Sequence, residues 1–152
     1  MPTTARLVAA ILMAALGYFL AELVKPYLPP AQPVGLFAPL SALVGLVIGW
    51  VHTGKHLQMA ITNRSDHVPA AGLGIIGVVL VILTVTLLFS LYEMNHRSTR
   101  LHYDGPTEAV LDAIDIGIGY LKLAAQMDVI IAALVGGVAV GMITGWVARQ
   151  FR

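Results

Sequence analysis

Of the 152 residues, 58% are hydrophobic and only 11% are Asp, Glu, Lys or Arg. Soluble domains carry about 25% charged residues, and with a mean hydropathy of +0.84 this chain reads as one dissolved in lipid, which excludes an ordinary soluble enzyme, a nucleic-acid binder and a disordered tail. The formal net charge of +1 offers no polyanion-binding surface, and the lack of cysteine excludes disulfides, thiolate metal sites and thiol redox chemistry.

A bilayer core of about 30 Å takes roughly 20 predominantly apolar helical residues. The first such stretch, residues 7–24, carries one charge, Glu22, near its end. It follows Arg6 as a signal peptide would. Its apolar run exceeds the usual length of about 7–15 residues and no small-x-small cleavage site precedes Lys25, so it reads as a retained helix. Pro26, Pro29, Pro30 and Pro33 break the chain before the second stretch, residues 34–51, and Pro39 falls in its first turns or kinks it. Gly54, just past Trp50, marks the expected end of this helix, leaving residues 52–68 as a polar loop. His52 and His56 have the i, i+4 spacing of a helical metal site, but a helix ending between them would spoil that geometry.

The third stretch, residues 70–92, is uncharged up to Glu93, and residues 93–105 read as a second loop. Thr84, Thr86 and Ser90 in this helix are expected to bond backbone carbonyls. Residues 106–127 are different. Glu108, Asp112, Asp115, Lys122 and Gln126 recur at helical spacing, with Val110, Ile114, Ile118, Leu121 and Ala125 on the other side. Pro106 at the first helical position and Glu108 in the first turn suit a helix start. With acids on one face the segment is expected to lie at the headgroup level, apolar side down, with Gly117 and Gly119 weakening it. The fourth stretch, residues 129–148, is uncharged until Arg149. The expected architecture is therefore an all-α membrane protein, four transmembrane helices plus one interfacial amphipathic helix between the third and fourth, in one domain over residues 1–152.

Four spans place Arg6, Lys55, Arg64, Arg149 and Arg152 on one side with a single acid, Asp66. The other side holds Lys25, Arg97, Arg100 and Lys122 against seven acids. The positive-inside rule then puts both termini in the cytoplasm. Residues 42–51 also read like residues 138–147, each ending in a glycine pair spaced by four and then a tryptophan, Trp50 or Trp146. Two related helical hairpins fit this repeat, as does chance similarity between apolar runs.

Gly137, Gly141 and Gly145 recur every four residues, and Gly45 and Gly49 repeat the pattern once. Such spacing lets helices approach closely in lipid. It serves either packing of the second span against the fourth or a homodimer. Glu22 and Glu93, at the ends of two spans, are the ionisable residues closest to lipid. If they met they would form a proton- or cation-binding pair; apart, Glu22 with Lys25 is an interfacial ion pair. No nucleophile with a base, phosphate loop or ligand cluster of recognised spacing is present, so no enzyme, cofactor or metal is expected.

The opening MPTTARLVAA, the Gly49-Trp50 end of the second helix, the run Tyr103, Asp104, Gly105, Pro106 with Glu108 and Ala109, and the glycine-rich last helix ending in Arg149 and Arg152 resemble the TrgA family. These are small membrane proteins named for a contribution to tellurite resistance in bacteria. The resemblance covers essentially the whole chain, and residues 103–109 are its most specific piece. It implies an inner-membrane location and a phenotype, with no catalytic residue or ligand to carry over. Without a thiol, the chain would act by transport, by altering the envelope, or through a partner. Three roles follow: a tellurite-resistance protein in a transport or accessory role, a scaffold docking a partner on the acidic face, or a small proton-coupled carrier using Glu22 and Glu93.

Overall fold

The computed structural model describes residues 4–28, 34–62, 70–98 and 105–150. Among these there is no strand. Helix α1 is Thr4–Val24, closed by a 3₁₀ turn Lys25–Tyr27; a second 3₁₀ turn Val34–Leu36 leads into α2, Phe37–Ile48. A π-turn Gly49–Thr53 joins α2 to α3, Gly54–Thr62. Then come α4 Ala70–Ser98, α5 Pro106–Ala124 and α6 Met127–Gln150. Four segments are long and apolar enough to cross a bilayer: Thr4–Tyr27, Phe37–Leu57, Ala70–Arg97 and Met127–Gln150. Only 33–39% of each span is buried inside the protein, so most of their apolar surface is left for lipid.

The helices run past two expected stops. The polar loop assigned to 52–68 is helical as far as Thr62, and the loop assigned to 93–105 is helical as far as Ser98. Gly54 has ordinary helical angles, φ −67° and ψ −39°. A Cβ there would lie 2.8 Å from the Cα of Arg6, so this glycine admits α1 and does not end a helix. Pro39 occupies the first turn of α2, where its missing N–H costs no intrahelical bond. Helix α5 starts at Pro106, after an extended Gly105 (φ −166°, ψ 164°), and passes unbroken through Gly117 and Gly119 before ending at Ala124.

The glycine stripes have different partners from those expected. Gly45 and Gly49 on the second span face α1, where a Cβ would strike the backbone carbonyls of Met13 and Ala9. Gly17 answers from α1, with the Ser41 carbonyl 2.7 Å from where its Cβ would be. On α6, Gly137 faces Ile75, Gly141 faces the Ala70 carbonyl, and Gly145 faces the Ala70 methyl. Packing of the second span on the fourth through these stripes is thus replaced by two pairs, α1 with α2 and α4 with α6. The same contacts occupy the faces that a glycine-mediated homodimer would need. In lipid, close backbone approach supplies the dispersion contacts and weak Cα–H···O bonds that hold such pairs. Each half of the internal repeat is the later helix of its pair. Between the pairs lies an apolar core built on Met13, Leu20, Val78, Val81, Val129 and Val140.

Helix α5 returns antiparallel along the end of α4. Arg97 meets Asp112, Gly117 sits against the Ser90 side chain, and the Phe89 and Tyr120 rings are 6.4 Å apart. The amphipathic helix thus runs alongside a span and does not lie flat across it. Its apolar residues Val110, Leu111, Ile114 and Ile118 are exposed.

Candidate functional site

The expected acidic residues stand at one end of the bundle. Glu22 is held by Lys25 in an i, i+3 ion pair. Glu93, whose side chain is 16% exposed, accepts a hydrogen bond from Arg97 Nε at 3.2 Å. Arg97 Nη1 also donates to Asp112, at 3.2 Å to Oδ1 and 3.3 Å to Oδ2. Each glutamate is therefore paired with a basic residue of its own segment. Asp112, read from the sequence as part of an open acidic face, ties α5 to α4; Glu108 and Asp115 are exposed. Of the remaining candidates, Gly105 caps α5 and Pro106 opens it, while Tyr103 and Asp104 lie outside the described residues. Ser90 bonds the Thr86 carbonyl at 2.8 Å, as expected of a hydroxyl in an apolar helix. Arg97 and Asp112 are both partly exposed, so a double-mutant cycle with Arg97→Ala and Asp112→Ala should give a coupling of only about 0.5–1 kcal/mol, falling as salt is added.

Aromatic packing closes the junction above this end. Phe89 lies edge-on to Phe37 with ring centroids 4.7 Å apart, and near Tyr92 and Tyr120 at 6.5 and 6.4 Å. Beneath it is a cavity of about 50 Å³ lined by Leu20, Val24, Phe37, Val85, Tyr120 and Val129. Ser41 faces this space with its hydroxyl already donated to the Phe37 carbonyl at 2.7 Å. A groove of about 210 Å³ between α2 and α4, lined by Leu36, Leu40, Val44, Leu88, Phe89 and Tyr92, is equally apolar. Both spaces suit acyl chains better than ions.

Toward the opposite end, α1, the π-turn and α6 each carry a buried polar atom without a partner. Arg6 Nε, His52 Nδ1, Thr53 Oγ1 and Thr144 Oγ1 are buried without a hydrogen-bond partner. The Thr53 and Thr144 residues are 0% exposed. An unmet buried polar group costs about 1–3 kcal/mol, and the Thr53 hydroxyl packs against Gly77 of α4 and the Met13 methyl. The π-turn Gly49–Thr53 carries two of them, and such turns recur at functional sites. Helix continuity also overturns the expectation that Gly54 separates the histidines: the His52 and His56 rings are 4.7 Å apart. Among the described residues no third ligand joins them. The sequence marks Arg6 only as a charge and gives no sign of Thr144, because burial of an arginine Nε or a lone threonine leaves no periodic signal.

No family model, no curated protein and no solved structure matches this chain.

Proposed function

We propose that this is a four-span protein of the bacterial inner membrane, both termini cytoplasmic, that contributes to tellurite resistance in an accessory role, neither catalysing a reaction nor carrying a substrate through its own bundle. The phenotype and location rest on the resemblance of residues 1–10 and 103–109 to the TrgA family. What supports the accessory role over the carrier is the middle of the bundle. Met13, Leu20, Val78, Val81 and Val140 pack there as an apolar plug, and the carboxylates a proton-coupled carrier would use stand at one end, each already paired. The scaffold reading loses Asp112, which is tied to α4.

Deleting the gene should lower tellurite tolerance in the native host. Both the wild type and the Glu22→Gln, Glu93→Gln double variant should restore it, and the purified protein in liposomes should pass no tellurite, phosphate or protons. Tolerance unchanged by deletion ends the tellurite reading. Flux by the wild type that the double variant abolishes would establish the carrier instead.

A further inference from the structure

The groove between α2 and α4 has one stripe of side chains on each wall. Leu36, Leu40 and Val44 follow at four-residue spacing along the second span, and Val85, Leu88, Phe89 and Tyr92 keep the three- and four-residue spacing of one face on the third. Consecutive spans run in opposite directions, which sets Leu36 at the level of Tyr92 and Val44 at the level of Val85. From Leu36 to Val44 the wall is about 12 Å long, close to the roughly 15 Å of hydrocarbon in one leaflet. Its rim is Tyr92, whose ring lies parallel to that of His96 with planes 3° apart, where the apolar run gives way to Glu93 and Arg97. Tyrosine is favoured at that depth, the headgroup boundary. The groove therefore starts at the headgroups and stops near the bilayer midplane.

Val85 and Phe89 line the inner cavity as well, so they form the floor of the groove. The edge contact of Phe89 with Phe37, at 4.7 Å between centroids, joins the two walls there. Apart from the Tyr92 hydroxyl at the rim, every lining side chain is apolar. The space measures about 210 Å³, and an apolar cavity of about 150 Å³ already stays free of water and takes up an apolar guest. A lipid chain lying on a lone helix is touched from one side, whereas one lying here meets two walls and a floor, and dispersion attraction grows with the number of contacts. We infer that this groove holds one acyl chain of a phospholipid from the leaflet at the α5 end, with the headgroup beside Tyr92. The site rests on the spans and their packing and is independent of any role in tellurite resistance.

The test reconstitutes the full chain in vesicles of phosphatidylcholine that carries a photoreactive diazirine midway along one acyl chain. After irradiation the labelled residues are mapped by mass spectrometry. Leu40, Val44 and Leu88 should be labelled at least about fivefold more than Ile131, Leu134 and Val135, which are exposed on α6 at comparable depth from the same end of the bundle. Excess dodecyl maltoside should strip the α6 label and leave the groove label. Leu40→Trp and Leu88→Trp each put a ring into the groove from an exposed position, and each should bring the groove label down to the α6 level; Leu134→Trp should leave it unchanged. The two filling variants lie on different helices, so one reports where the other fails to fold. Groove labelling no stronger than that of α6, or labelling that persists in the folded filling variants, overturns the assignment. So does an unlabelled groove covered by a second copy of the chain, seen as a crosslinked dimer.

Discussion

Replacing Gly141 by valine should separate the third and fourth spans and lower the unfolding midpoint in detergent by about 10 °C, corresponding to a loss of about 3 kcal/mol. A Cβ at Gly141 would collide with the Ala70 carbonyl and lie 3.1 Å from the Ala71 Cα. Those are backbone atoms of the facing helix, which no rotamer change can move aside. The only relief is to push α4 and α6 apart, and without a hydrophobic drive between helices in lipid the contact is then lost along its length. Gly119→Ala is the matched control. Nothing lies within 4 Å of a Cβ there, so the added methyl should be neutral or raise stability by up to about 1 kcal/mol, as expected of alanine in a helix. A Gly141→Val protein that melts with the wild type would show that the α4–α6 contact does not hold the bundle.

Phe89→Ala should cost about 3 kcal/mol and release α5 from the bundle. The ring touches residues of α2, α4 and α5 at once: Phe37 at 4.7 Å, Tyr92 at 6.5 Å and Tyr120 at 6.4 Å between centroids. Aromatic pairs of this kind contribute about 0.5–1.5 kcal/mol each beyond area burial. Truncation would also enlarge the cavity already lined by Phe37, Val85 and Tyr120. Hydrogen exchange resolves the consequence: amides of α5 should lose protection while those of α6 keep theirs. Phe89→Leu, which retains most of the volume, should show a smaller effect in the same direction. Unchanged protection of α5 in Phe89→Ala would mean that the Arg97–Asp112 pair and the packing of Gly117 on Ser90 hold that helix without the ring.

Side-chain reading succeeded where one residue's chemistry decides the outcome. The four spans follow from long uncharged runs, and the start of α5 from Gly105 and Pro106, because apolar length and a fixed proline φ act locally. The pairing of Glu22 with Lys25 was legible too, since three residues along a helix bring two side chains to one face. Glycine was where local reading failed. Gly54 reads as a stop, and Gly45, Gly49, Gly137, Gly141 and Gly145 read as an interface of the second span with the fourth or between two copies of the chain. A glycine announces either a break or a close neighbour, and only the neighbour tells which. Arg6 against Gly54, and Ala9 and Met13 against the second span, resolved each case toward packing.

By itself, then, the sequence determined the solvent, the number of crossings, the lack of thiol chemistry and the placing of acids toward one side, all of which depend on composition along a single segment. The tertiary structure decided which helices pair, that Asp112 serves α4 and not an open face, and that Arg6 Nε, His52 Nδ1, Thr53 Oγ1 and Thr144 Oγ1 are buried without a partner. Those outcomes depend on what lies across a helix interface, and residues far apart in the chain carry no mark of each other until the backbones meet.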